Sequence, residues 1–329
     1  MTTVANGPTT KALRRAAIRA TLAPSVHNTQ PWRFVLGEGW LEIHADYSRQ
    51  LHVLDPRGRQ LLLSCGCALL NVRVSMASSG VGVDIERFPD HAQPKLIARI
   101  TPNGAKQPEA DLARLENAID ERHTNRRQFF DDPVPDEFVD RLVDAANREA
   151  ADVFVVKRPE HRIAVASLSQ RADQIENADP AYRAELRAWT SDDPRRDDGV
   201  PAFAVPHVDA GSQDDIPIRD FDTRGVGWLP TQTRSTLNQC LLLIGALDES
   251  PMAWLRTGEA LERMLLEIAE HGYAASPLTQ VVEVARTNEL LREELNLSMH
   301  PHVLLRVGRA PATPKTRRRR LVDVLSESS

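Results

Sequence analysis

Hydrophobic positions recur at helical spacing over residues 9–22, TTKALRRAAIRATL, behind a threonine able to cap, which predicts an amphipathic helix. RFVL at 33–36 and WLEIHA at 40–45 read as strands. Residues 58–79, GRQLLLSCGCALLNVRVSMASS, are apolar nearly all round, the pattern of a helix buried on most sides. VDIERF at 83–88 and KLIARI at 95–100 follow as two more strands.

The same order then returns. PDEFVDRLVDAANREA at 135–150 is an amphipathic helix with proline well placed at its start. DVFVVKR at 152–158 matches RFVL, and TGEALERMLLEIAEHG at 257–272 is a second periodic helix with Gly258 in the place of Gly58. PHVLLRV at 301–307 matches PKLIARI at 94–100, pairing Pro301 with Pro94 and Arg306 with Arg99. Phe34 lies 24 residues before Gly58 but Phe154 lies 104 before Gly258, so an insertion precedes Gly258. Its stretch at about 190–230 is rich in Pro, Asp and Gly without period. Phe203, Val205, Ile216, Ile218, Phe221 and Trp228 give that stretch something to bury, so a lid is expected rather than disorder.

Composition narrows the classes. The chain has 329 residues, 41% hydrophobic and 26% charged, and a net charge of −5 that argues against bulk nucleic-acid binding. Cys65, Cys67 and Cys240 read as free thiols rather than a disulfide framework. No signal-peptide layout is present and the apolar stretches read as too short or broken to span a bilayer, so a cytoplasmic protein is expected. Gly80-Val81-Gly82 and Gly225-Val226-Gly227 lack the third glycine of a dinucleotide fold, so a nicotinamide cofactor would visit rather than reside. His300-Pro301-His302 has no metal-spaced partner and reads as surface or strand-edge histidines, with no metal expected.

Three polar clusters carry the chemistry. LAPSVHNTQPWRF at 22–34 sets Ser25, Asn28 and Gln30 between Pro24 and Pro31, a stiff loop offering donors and acceptors. It suits a flat, heteroatom-rich ligand, or equally a turn in which Asn28 bonds its own backbone. ERHTNRRQFF at 121–130 surrounds Thr124 and Asn125 with Arg122, Arg126 and Arg127, an arrangement for a phosphate monoester or for a solvated helix end. KTRRRR at 315–320 precedes the apolar LVDVL, so the tail is expected to dock and bring one or two arginines inward.

With these clusters in hand, the sequence resembles the flavin-dependent nitroreductase family, in its mycobacterial Acg-type branch. The carriers are Ala23-Pro24-Ser25-Val26-His27-Asn28-Thr29-Gln30-Pro31-Trp32, the stretch Arg122-His123-Thr124-Asn125-Arg126, VPDEFVDRLVDAA, SPLTQ at 276–280 and the tail. The first half has the APSxxNxQPW element without the arginine element before it, and the second half has the reverse. The resemblance implies an α+β nitroreductase-like fold of two tandem diverged repeats, 1–106 and 107–329, each a mostly antiparallel sheet flanked by helices. Family members are intertwined homodimers with FMN at the interface, so the fused pair would be an internal pseudo-dimer, monomeric or weakly dimeric, keeping one composite site. It implies that Arg122 and Thr124, with Arg318 and Arg320, hold the FMN phosphate, and that Arg126 sits at the flavin N1/O2 edge. Pro24 would line the ring, Ser25, Asn28 and Gln30 would reach the flavin, and Ser276, Pro277 and Leu278 would approach its reactive edge. The implied reaction passes hydride from NADH or NADPH through FMN to a nitroaromatic or quinone. The alternative is a flavin-sequestering protein whose lid allows little or no turnover.

Overall fold

The computed structural model describes residues 7–201, 204, 216–221 and 239–328. Of the insertion's apolar residues, Phe203, Val205 and Trp228 lie outside the described residues. Helix α1 (Pro8–Ala20) starts on proline and buries Leu13, Ala16, Ala17 and Ala20. Strands β1 (Trp32–Gly37) and β2 (Trp40–Ala45) form a hairpin closed by Glu38 and Gly39, the glycine at φ +77°. Helix α2 (Arg59–Ser78) is buried almost throughout, and β3 (Val83–Arg87) and β4 (Leu96–Pro102) complete the half. By length and composition α2 is apolar enough to cross a membrane, contrary to expectation, yet it is the central helix of the core.

The second half holds α3 (Asp136–Asn147), β5 (Asp152–Val155), α4 (Pro159–Ala178), α5 (Pro180–Trp189) and β6 (Cys240–Ala246). Then come α6 (Pro251–Glu270), β7 (Ala274–Pro277), α7 (Ala285–Glu294) and β8 (His300–Gly308). Its sheet runs β7-β8-β6-β5, all antiparallel, the same order as β3-β4-β2-β1. Both sheets also shift register at matching places, between Ile43 and His44 in β2 and between Ile244 and Gly245 in β6. A tail strand, β9 (Leu325–Glu327), leaves the second half and pairs in parallel with β1 of the first sheet.

The register corrects two equivalences. Ile43 pairs with Ala98 and Ile244 with Val303 just before each shift, so Arg99 corresponds to Leu304, not Arg306. Gly58 lies before α2 at φ +76°, whereas the eighth residue of α2 is Gly66 and the eighth of α6 is Gly258. A Cβ on Gly66 would stand 2.1 Å from the Leu255 carbonyl oxygen, and one on Gly258 2.1 Å from that of Leu63. The two long helices therefore cross backbone to backbone at reciprocal glycines. The insertion sits inside the second hairpin: where Glu38 and Gly39 join β1 to β2, residues 156–239 join β5 to β6 and include α4 and α5.

His302 departs from its expectation. It is wholly buried in the interior strand β8, with Nδ1 3.1 Å from the Thr257 hydroxyl. Burial, with the charge of Arg59, pushes its pKa down to about 3, so it is neutral. The three cysteines are free, Cys65 and Cys67 buried.

Candidate functional site

The chain leaves α1 and turns through a 3₁₀ turn at Val26–Asn28 before entering β1. His27, Asn28 and Gln30 all take positive φ, 45°, 54° and 49°, a region costly for non-glycine residues unless the surroundings impose it. The surroundings do. The Gln30 amide donates to Ser25 Oγ at 2.9 Å, the Val26 amide to Ser64 Oγ at 3.3 Å, and Asn28 Nδ2 to the Gly199 carbonyl at 3.0 Å. Fully buried Trp32 anchors the exit.

This loop forms one wall of a cavity. α2 contributes Leu63, Ser64 and Cys67; α6 contributes Leu261 and Leu265; the end of β7 contributes Pro277, followed by Leu278. Thr124 and Arg126 reach it because Thr124 bridges to Ala275 and the Asn125 amide donates to the Ala275 carbonyl at 2.8 Å. Ile218 and Phe221, from the insertion, cover it and are themselves buried. A smaller polar cavity shares Pro24, Ser25, Thr124 and Arg126 and adds Asn28, Arg122, His123, Thr316 and Arg318.

Its charge is unbalanced. Arg122 and Arg318 both donate to the Leu22 carbonyl, at 3.1 and 3.3 Å, so two guanidinium groups stand side by side. The buried Glu262 carboxylate approaches Arg122 Nε only to 3.7 Å, and the Nε groups of Arg122 and Arg318 find no hydrogen-bond acceptor among the described residues. Burial, reinforced by Arg122, lowers Arg318 to about 9, and burial, with Arg122, Lys315 and Arg318, lowers His123 to about 4. Arg126 is lowered to about 10 by burial and by Arg219; it lies 5.3 Å from the centre of the Phe221 ring and meets no carboxylate among the described residues. Arg219, by contrast, is matched by Glu283, Glu176 and Tyr182. An unmatched cationic pocket opening beside an apolar one has the polarity of a planar ligand with an anionic tail.

The expected residues divide into three groups. Pro24, Ser25, Thr124 and Arg126 line both cavities; Asn28, Arg122 and Arg318 line the polar one; Pro277 and Leu278 line the larger one. Gln30 and Ser276 are fully buried and line neither. Gln30 instead holds the tail: its Oε1 accepts from the Arg319 amide at 2.8 Å and its Nε2 donates to the Asp197 carbonyl at 2.8 Å. Asn28 serves the same end in part, its Oδ1 accepting from Arg318 at 3.1 Å. Arg320 is a correction: it is exposed and paired with Asp323 at 2.9 Å, because the turn at Leu321–Val324 brings that carboxylate back to it. His27, Gln60 and Glu262 carried no expectation. Glu262 was the most legible of them, an acid on the apolar face of a strongly periodic helix.

The equivalent place in the other half is filled. Cys67, ninth in α2, lines the cavity, and the ninth residue of α6 is Glu259. Leu265, fifteenth in α6, lines it, and the fifteenth residue of α2 is Arg73. Arg73 and Glu259 pair at 2.9 Å, Arg87 joins Glu259 at 2.7 Å, and Arg263 binds Glu149 at 2.7 Å, all in the interior.

The profile of the Nitroreductase family matches residues 119–309. The Mycobacterium tuberculosis protein named "Putative NAD(P)H nitroreductase Rv3131" is 33% identical over 328 residues, covering 97% of this chain and 92% of its own. Its compatriot "Putative NAD(P)H nitroreductase acg" is 29% identical over 96% of each chain. Among solved structures, the FMN- and NADPH-dependent nitroreductase NfnB from Sphigopyxis is 19% identical, with 65% of this chain and 99% of that one covered at a TM-score of 0.40. A nitroreductase with bound FMN from Desulfitobacterium hafniense is 14% identical, at 65% and 98% coverage and a TM-score of 0.41.

Proposed function

The chain belongs to the nitroreductase family, and from that premise we propose that it is an FMN-dependent oxidoreductase. In this reading NADH or NADPH reduces it and an electron-poor acceptor, a nitroaromatic or a quinone, reoxidises it. The composite site lies between two repeats, 1–106 and 107–329. The observation that carries the reading is the pairing of an apolar cavity with an adjoining pocket of unmatched guanidinium groups.

The residues fit FMN. Arg122 and Arg318, with the Thr124 and Thr316 hydroxyls beside them, offer charge-assisted donors to a phosphate. Pro24, Pro277, Leu278 and Leu265 offer apolar surface to a ring system. Arg126 holds a positive charge at the junction of the two cavities, where it would stabilise an anionic reduced ring. Bound flavin would supply the hydride chemistry; the chain binds it, orients it and excludes water through Ile218 and Phe221.

The same two residues favour a second reading, a flavin-sequestering protein, since Ile218 and Phe221 are buried over the cavity and Arg219 between them is fixed by Glu283, Glu176 and Tyr182. One experiment separates them. The purified protein should be yellow or become so with FMN, and Arg122→Ala should weaken FMN retention by about tenfold or more, the loss of a charge-assisted contact of about 1.5–3 kcal/mol. Added NADPH without oxygen should bleach the flavin and an added quinone should restore it. Reduction by dithionite but not by NADH or NADPH would establish sequestration, and a colourless protein that takes up no FMN would end both readings.

A further inference from the structure

Two buried polar groups in the larger cavity are used by nothing described so far. His27 is 6% exposed and, among the described residues, neither ring nitrogen has a hydrogen-bond partner; Gln60 is 6% exposed and its Nε2 has none there either. Both line the larger cavity and neither lines the cationic one. A buried donor without a partner is costly, and two of them facing one cavity mark a place where a ligand supplies the missing acceptors.

Their placement is fixed rather than incidental. Ser64 joins the two segments, its hydroxyl donating to the Gln60 carbonyl at 2.7 Å and accepting from the Val26 amide at 3.3 Å. The Phe221 ring meets the His27 ring edge-on at 5.6 Å between centroids, which limits the imidazole's rotation. The positive φ of His27 sets the direction in which the ring leaves the backbone.

We propose that His27 and Gln60 form a subsite for the electron acceptor, binding an uncharged oxygen conjugated to an aromatic ring, as in a quinone carbonyl or a nitroarene. The subsite rests on the oxidoreductase reading and names the part of that site which recognises the acceptor. Both side chains are neutral: burial and the charges of Arg219 and Arg126 keep His27 well below its ordinary pKa, and Gln60 is an amide. Each therefore presents an N–H to oxygen without adding charge, while Leu63, Leu261, Val303 and Phe221 offer apolar surface to a ring. The arginine pair Arg122 and Arg318 lines only the other cavity, which these two residues do not line.

The test is binding to the oxidised, FMN-loaded protein by calorimetry, without NADPH, using 1,4-naphthoquinone, nitrobenzene and naphthalene. Gln60→Met keeps the volume and removes the amide; His27→Asn tolerates a positive φ but is too short to reach. Each variant should weaken the oxygen-bearing ligands about tenfold, the fold-change of about one hydrogen bond, and leave naphthalene unchanged. A loss confined to naphthoquinone or to nitrobenzene assigns the subsite to that oxygen. Equal weakening of naphthalene would reduce the pair to cavity shape and overturn the proposal. So would unchanged naphthoquinone and nitrobenzene binding with a shifted flavin absorption band, which would turn the pair toward the cofactor. If the wild-type protein binds naphthoquinone through these residues but NADPH does not reduce its flavin, the oxidoreductase reading fails and the subsite stands.

Discussion

Single side chains decide the charge of the site, and Glu262 shows how. It is fully buried in α6, and burial raises its pKa to about 7 against the opposing pull of Arg122 and Arg318. The folded chain therefore holds a proton there that the unfolded chain has released above about pH 4.5. The folded pKa being the higher one, this stabilisation is complete below pH 4.5 and is lost as pH rises to about 7. Unfolding the flavin-free protein in urea at several pH values should show that slope, on the order of 3 kcal/mol, and Glu262→Gln should flatten it. A slope identical in the variant would place the titration elsewhere. At this scale the sequence was half legible. Arg122, Thr124 and Arg126 stood out because guanidinium groups cluster around a hydroxyl within five residues. His27 did not, since nothing in its type announces a ring left without partners.

Elements were legible wherever burial is one-sided. α1 and α3 each show an apolar stripe, and the hairpin of β1 and β2 is bounded by Glu38 and Gly39. Residues 110–121 form only short turns, at Ala110–Ala113, Arg114–Glu116 and Ala118–Glu121. β6 drew no expectation, because CLLLIGA is covered on both faces and carries no alternation. The crossing of α2 and α6 is the element-scale feature with the sharpest consequence. In an exposed helix, Gly→Ala gains about 1 kcal/mol of helix propensity. At Gly66 the added methyl would meet the Leu255 carbonyl oxygen, which belongs to a packed helix backbone and has no side-chain freedom to yield. Gly66→Ala should therefore destabilise by about 3 kcal/mol or more, read as a lower midpoint in urea. A neutral or raised midpoint would show that the helices can separate without cost.

For the whole molecule, the site depends on a segment far from it in sequence. Arg318 lines the polar cavity because Arg319 is bonded to Gln30 and β9 is paired with β1, so the tail closes over the first half. Ending the chain after Arg320 should leave both central helices in place, since they pack chiefly on each other, while FMN retention falls about tenfold or more. Ultrafiltration followed by flavin absorbance measures the retention, and circular dichroism checks the helices; undiminished retention would show that β9 is not needed to hold Arg318 at the site. The sequence by itself determined the repeated order of helices and strands, because amphipathic period is a local property of the chain. It also marked the polar clusters at residues 22–34 and 121–130 as candidates, since a loop with more hydrogen-bonding groups than a turn needs is visible one residue at a time. Only the tertiary structure decided that Gly66, not Gly58, faces Gly258, that Gln30 supports the tail instead of lining a cavity, and that Arg318 turns in while Arg320 turns out. Those outcomes depend on contacts between residues up to 296 positions apart, which no local pattern encodes.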